Sequence, residues 1–202
     1  MKKSPKGNYP FIEYNGKPYS DTNLIMRFLA KEFQSADLDA HLSKEQKSQS
    51  VAFSWMFEEV LMWCLICLGM HDFEKFSKEL DNPRHGLLFK LFLNVYIKRL
   101  IYRSNTTKLY YQGFGRFTHD EVMSILYECF EAAAVQLGEK EYLFGEKFAL
   151  ADVPLFTILF YAYAFPSLGY TKLINERYPA LAAYAMRNRR RLFPQFELEN
   201  ST

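Results

Sequence analysis

Cys64 and Cys67 stand in Leu61–Met70, "LMWCLICLGM", with His71 directly after. Two thiolates on one helical face are soft ligands that would suit cadmium or zinc. Their surroundings are apolar, however, and free cysteine is among the most buried residue types, so plain core packing is the alternative. A Cys-x-x-Cys with neither a second pair nor a thioredoxin context is a weak metal signal. His41, His71, His85 and His119 share no ligand spacing, no Ser-His-Asp grouping is legible, and no metal is expected. His119-Asp120-Glu121 follows Thr118, which pairs with Glu121 as a capping box at a helix start. Asp21 and Thr22 are N-cap residues by type. The run "RNRRRLF", residues 187–193, reads either as a nucleic-acid or import patch or as a cationic last helical turn.

The elements that must position these groups follow from periodicity. Phe11–Tyr14 and Lys17–Ser20 flank Asn15-Gly16, a hairpin signal because both residues accept positive φ. Asp21 or Thr22 then caps a helix with Ile25, Phe28, Leu29 and Phe33 on its apolar face. Residues 35–43 are polar and small and read as a linker. Beyond them the pattern predicts only helices: Lys44–Met70, Gly86–Arg103, Thr118–Leu137 ended by Gly138, Ala149–Phe165 apolar nearly all round, and a last helix from Pro179 into Arg187–Arg191. The stretch between, "SNTTKLYYQGFGRF" (residues 104–117), reads as an aromatic connector. A few strands followed by many helices describe a small α/β fragment attached to an all-α bundle, not an alternating α/β protein.

Composition limits the function classes. With 202 residues and 49% hydrophobic content, the chain can fill one good core. A net charge of +2 gives no strong reason to expect nucleic acid or an anionic membrane. Three cysteines argue against a secreted disulfide scaffold. The basic start continues into "SPKGNYP" instead of an apolar run, so no signal peptide is read and a cytoplasmic chain is expected. Val60–Met70 is too short for a membrane span, and Pro154, Pro166 and Gly169 interrupt Val153–Thr171, so buried bundle helices are expected and no transmembrane segment.

Two blocks carry a resemblance: "SPKGNYPFIEYNGKPYSDTNLIMRFL" and "YYQGFGRFTHDEVMSILYECFEAAAVQLGEKEYLFGEKFALADVPLF". The first is similar to the second half of the thioredoxin-like domain of the glutathione S-transferase superfamily: a cis-proline before a strand, a hairpin, then an acidic-hydroxyl pair at a helix start. The second is similar to its helical domain, with the Gln-Gly-x-Gly-Arg element of the failed-axon-connections and metaxin branch, which includes cadmium-responsive proteins of nematodes. The implied fold is mainly α, a transferase-type helical bundle with a truncated thioredoxin-like ββα piece. Its implied parts are a partial N-terminal domain at 1–34, a linker at 35–43 and the helical domain at 44–202.

The resemblance also implies a site. Tyr9, before Pro10, would offer main-chain hydrogen bonds to the cysteinyl unit of glutathione. Thr22 and its neighbouring N–H groups would take the γ-glutamyl carboxylate, since a helix N-terminus has unpaired donors and favours anions. Asp21 would meet the α-ammonium. The alternative keeps Asp21 or Thr22 as a simple N-cap and Pro10 as the start of a strand. In "KFALADVPLF" the family's capping box reduces to Ala149 and Asp152. Asp152 is expected to bond the Ala149 N–H as a structural group, with the missing hydroxyl costing about 1 kcal/mol, and Phe148 and Val153 keep the hydrophobic staple. Tyr110, Tyr111, Phe114 and Phe117 either border an interdomain cleft or form a satellite core.

The family's catalytic Ser, Tyr or Cys lies near the start of its first strand–helix unit, and no residue here matches it. The expectation is therefore a glutathione-transferase-like protein, non-catalytic in this form, acting in stress or metal response or through a protein partner or dimer at the exposed hairpin. The alternatives are an active transferase with its catalytic residue on a segment upstream, and a metaxin-like mitochondrial import component.

Overall fold

The structure, a computed structural model, describes residues 4–7, 9–79, 92, 96 and 98–194. Strands β1 (Phe11–Tyr14) and β2 (Lys17–Ser20) pair antiparallel, with Tyr14 opposite Lys17 and Phe11 opposite Ser20. Asn15 and Gly16, at φ 49° and 74°, make the two-residue turn whose twist suits a hairpin. Helix α1 (Thr22–Glu32) folds back on the strands. Phe28 stacks on Tyr19 at 3.8 Å between ring centres and meets the Tyr14 edge at 5.6 Å, so an aromatic cluster holds the ββα unit together. After a short 3-10 turn at Gln34–Ala36, Asp39 accepts a hydrogen bond from Leu150 N–H at 2.7 Å. The segment read as a linker is thus tied to the far part of the chain.

Helix α2 (Lys44–Met56) starts with a reciprocal Ser43–Gln46 capping box. It runs without a break through a π-helical turn, Phe57–Leu61, into α3 (Met62–His71). Ser50, Ser54, Phe57, Leu61, Cys64, Leu65 and Leu68 form its buried face, at the three-to-four spacing a helix requires. Taken whole, Lys44–His71 is long and apolar enough to cross a membrane by length and composition, where the sequence reading expected no span; its buried face packs into the bundle core. Helix α4 (Phe73–Glu79) follows.

Helix α5 (Lys98–Gln112) corrects the expected connector. The start expected at Gly86 lies outside the described residues. The helix does not stop at Arg103 but carries on to Gln112, because Leu109, only 2% exposed, and Ile101 pack against the core from one face. It ends at Gly113, whose φ of 107° few other residues adopt. A 3-10 turn, Phe114–Arg116, follows.

Helix α6 (His119–Leu137) buries Val122, Leu126, Cys129, Phe130, Ala133 and Leu137, starts with the Thr118–Glu121 box and ends at Gly138. Helix α7 (Asp152–Ala164) opens three residues later than its apolar pattern predicts. Ala149 and Leu150 instead form turns closed by the Asp152 and Val153 N–H groups. It is buried except along one line through Thr157. Helices α8 (Tyr170–Arg177) and α9 (Pro179–Leu192) close the bundle. The arginine run at the end of α9 docks within the fold: Arg187 donates to Glu141 O, and Arg191 to Glu141 Oε1 and Tyr142 Oη.

Candidate ligand cleft between the hairpin unit and the bundle

Four pieces of chain converge on a cleft of about 610 Å³: the lead-in before β1, the start of α1, the π turn with α3, and the first turns of α7. This size falls within the range of small-ligand sites. Of the residues singled out in the sequence, Tyr9, Asp21 and Thr22 line it from one side and Val153 from the other. Tyr9 is 72% exposed, its ring 5.8 Å from that of Phe11. Pro10 follows it through a cis peptide bond.

Asp21 is the N-cap of α1. Its Oδ1 accepts from Leu24 N–H at 3.2 Å, and Ile25 N–H bonds its carbonyl. The N–H groups of Thr22 and Asn23 therefore precede the first internal bond of the helix, at the end where the dipole favours anions. Asp21 sits at φ 83°, ψ 123°, a region that residues with a Cβ rarely adopt. Such strain persists only where surrounding contacts hold it, and binding sites are a common place for it.

The facing wall was not legible as a site in the sequence. The π turn carries Glu58 and Glu59 into the cleft beside Met62, Trp63 and Ile66. Asn23, 2% exposed, donates to Glu58 Oε2 at 3.1 Å and accepts from Arg27 Nε at 2.7 Å. Gln112 at the end of α5 donates to Glu59 Oε2 at 3.2 Å. Burial pushes the Glu58 carboxyl above its ordinary range, the Asn23 amide pulls it back, and the Asp21 and Glu59 charges push it up again. The available signal was two adjacent acids at the edge of an otherwise apolar stretch. The cleft is thus amphiphilic: Asp21 and the α1 N-terminus stand on one wall, Glu58 and Glu59 on the facing one, and Met62, Trp63, Ile66 and Ile158 offer apolar surface.

Glu58 gives a pH-dependent prediction. Its native pKa is raised, so the folded state holds its proton to higher pH than the unfolded chain, and stability falls as pH climbs through that interval. Glu58→Gln removes this loss. The variant is expected to match the parent at about pH 4 and to exceed it in stability at neutral pH. Urea midpoints at the two pH values check this; a parent that gains on the variant as pH rises would contradict it.

Asp152, beneath the cleft wall, is fully buried. It accepts from Ala149 N–H at 2.9 Å, from Leu143 N–H at 3.0 Å and from the Tyr184 hydroxyl at 2.9 Å. Tyr184 therefore supplies a hydroxyl partner from α9. Burial pushes the Asp152 carboxyl up, and the three donors oppose that. Phe148 sets its ring edge-on to Tyr142 at 5.4 Å.

Other candidates fall elsewhere. Tyr110, Tyr111, Phe114 and Phe117 do not line this cleft; Phe114 packs on the core, and Tyr110 borders a separate cavity with Cys67 and His71. Cys64, Cys67 and Cys129 are buried, and burial raises all three thiols, Cys129 to about 11. His71 and His119, distant in sequence, come to 5.9 Å between ring centres. Among the described residues no group of three His, Cys, Asp or Glu side chains could hold a metal ion.

The glutathione S-transferase N-terminal domain family matches residues 1–74, and the glutathione S-transferase C-terminal domain family matches residues 116–185. Failed axon connections of Drosophila melanogaster is 26% identical over 96% of this chain and 49% of its own length. Isoprene-epoxide–glutathione S-transferase of Rhodococcus sp. (strain AD45) is 27% identical over 77% of this chain and 66% of its own. Human metaxin-2 is 25% identical over 78% and 59%. The chain thus spans from about half to just under two thirds of the length of these relatives. No solved structure matches it.

Proposed function

Since the chain belongs to the glutathione S-transferase superfamily, in its failed-axon-connections and metaxin-like branch, we propose that it binds glutathione without turning it over in this form and acts in stress or metal response or through a protein partner. The observation that carries the reading is the meeting of Tyr9, Asp21 and Thr22 on one cleft. In the proposed pose the Tyr9 main chain bonds the cysteinyl unit and the helix N-terminus takes the γ-glutamyl carboxylate. Asp21, with Oδ1 on Leu24 N–H, faces the α-ammonium through its other oxygen. The electrostatics support binding without chemistry. Conjugation requires the thiol of glutathione to ionise readily, which positive surroundings favour. Asp21, Glu58 and Glu59 in the same cleft act the other way. The N-terminal hairpin is the surface proposed for a partner or a second copy, and the cytoplasm the proposed location.

Retention on immobilised glutathione, together with a conjugation assay on an aromatic electrophile, tests the proposal. Saturable binding is expected with no turnover above the uncatalysed rate. Asp21→Ala is expected to weaken binding about tenfold, the effect of losing one charged hydrogen bond. Absence of binding sinks the reading.

A second reading is favoured by the likeness to the Rhodococcus enzyme: a transferase joining glutathione to electrophiles, its thiol-activating residue on a segment upstream. Turnover by a chain extended upstream would establish it. The likeness to metaxin-2 favours a third, a mitochondrial import component, which recovery with mitochondrial membranes in fractionation would support.

A further inference from the structure

Asp21, Glu58 and Glu59 line the ligand cleft, and no Lys, Arg or His stands among its described lining residues. We propose, on the premise that the cleft binds glutathione, that Glu58 is a specificity-determining residue: its carboxylate pairs with the α-ammonium of the γ-glutamyl unit from the wall opposite Asp21.

The connection runs through Asn23. Its main-chain N–H precedes the first internal bond of α1, where the α-carboxylate of the ligand is taken. Its side chain, on a residue only 2% exposed, donates to Glu58 Oε2 at 3.1 Å. In an α-amino acid the carboxylate and the ammonium are carried on the same carbon. A carboxylate seated on the helix start therefore keeps the ammonium beside that start, and Asn23 fixes Glu58 at the same place. Asp21 is near enough for its charge to act on Glu58 across the cleft.

Glu58 can accept a further donor. Asn23 engages one oxygen, and among the described residues no hydrogen bond falls on Oε1 and no ion pair on either oxygen. Arg27, whose charge also reaches Glu58, bonds to Asn23 instead. An ammonium has three donors and no acceptor, which suits two facing carboxylates. Burial makes the Glu58 charge costly to the fold at neutral pH, and a bound ammonium offsets that cost. Glu59, by contrast, is exposed and already accepts from Gln112.

Calorimetric titration of the full chain at neutral pH with glutathione, and separately with its analogue lacking the α-amino group, tests this at constant ionic strength. The parent is expected to bind glutathione about tenfold more tightly than the analogue. Glu58→Gln keeps the side-chain shape and an acceptor for Asn23. It is expected to weaken glutathione about fivefold and to leave the analogue unchanged, while Glu59→Gln changes either by less than about twofold. Glutathione binding unchanged in Glu58→Gln, a loss equal for both ligands, or an equal loss in Glu59→Gln overturns the role of Glu58 while glutathione binding by the parent stands. A parent that binds neither ligand overturns the glutathione reading itself, and the role of Glu58 with it.

Discussion

Replacing Asp152 by alanine is expected to cost about 4 kcal/mol, since it strips a partner from each of three donors, the Leu143 and Ala149 N–H groups and the Tyr184 hydroxyl, in a fully buried place. In a chain of this size that corresponds to a fall of about 10 °C in melting temperature. The loss is a large fraction of the 5–15 kcal/mol typical of a folded protein. Tyr184→Phe removes a single donor and leaves the two backbone bonds, so about 1.5 kcal/mol is expected. Thermal unfolding followed by far-ultraviolet circular dichroism measures both. A drop below about 3 °C for Asp152→Ala would mean that water or a rearranged carbonyl replaces the carboxylate.

The second large effect is expected at Gly115. A Cβ built there would stand 2.9 Å from Tyr110 N, 3.0 Å from Leu109 C and 3.1 Å from Tyr110 Cα. These are backbone atoms of α5, which a rotamer change cannot move aside. Gly115→Ala should therefore push the Phe114–Arg116 turn off the end of α5 and cost about 2–3 kcal/mol. By contrast, at Gly113 a Cβ would meet nothing within 4 Å, and the constraint is the positive φ of 107°. Gly113→Asn, a residue that tolerates positive φ, should cost about 1 kcal/mol or less. Denaturant midpoints for the two variants compare close approach with backbone angle. An equal cost at both positions would contradict the steric account. The pair also gives a physical meaning to the Gln-Gly-x-Gly-Arg element: one glycine turns the chain, the other lets it pass close to the helix it has just left.

What the sequence discloses and what it hides divides by distance along the chain. Asn15-Gly16, the Thr118–Glu121 box, Gly138 and Pro179 act on their immediate neighbours, so their effects are legible in short windows. The aromatic, hydroxyl-rich run 104–112 looks like a connector by composition, yet Leu109 is enough to dock it as helix, because tertiary burial outweighs weak propensity. Asp152 was readable as a cap for Ala149, three residues away. Its bonds to Leu143 and Tyr184 join residues 9 and 32 apart and follow no local rule. The cleft shows the same division. Tyr9, Asp21 and Thr22 stand close together in a recognisable block, whereas Glu58 and Glu59 reach them only through the packing of α1 on the long helix.

The π turn at Phe57–Leu61 fits one extra residue into the long helix. An α-helix advances roughly 100° per residue, so a straight one commits every later side chain to a direction set by the earlier ones. The wider turn holds one residue more than an α turn, and in it Glu58 and Glu59 look into the cleft while Phe57 and Leu61 keep to the core. Substitutions there alter one side chain, but removal of a single residue would close the wide turn into an α turn and take away the extra residue that it carries beside the cleft. The length of this segment, more than the identity of its residues, is therefore what selection would guard. Chains that keep the cleft should align through it without a gap, and chains that have lost the cleft are free to be one residue shorter.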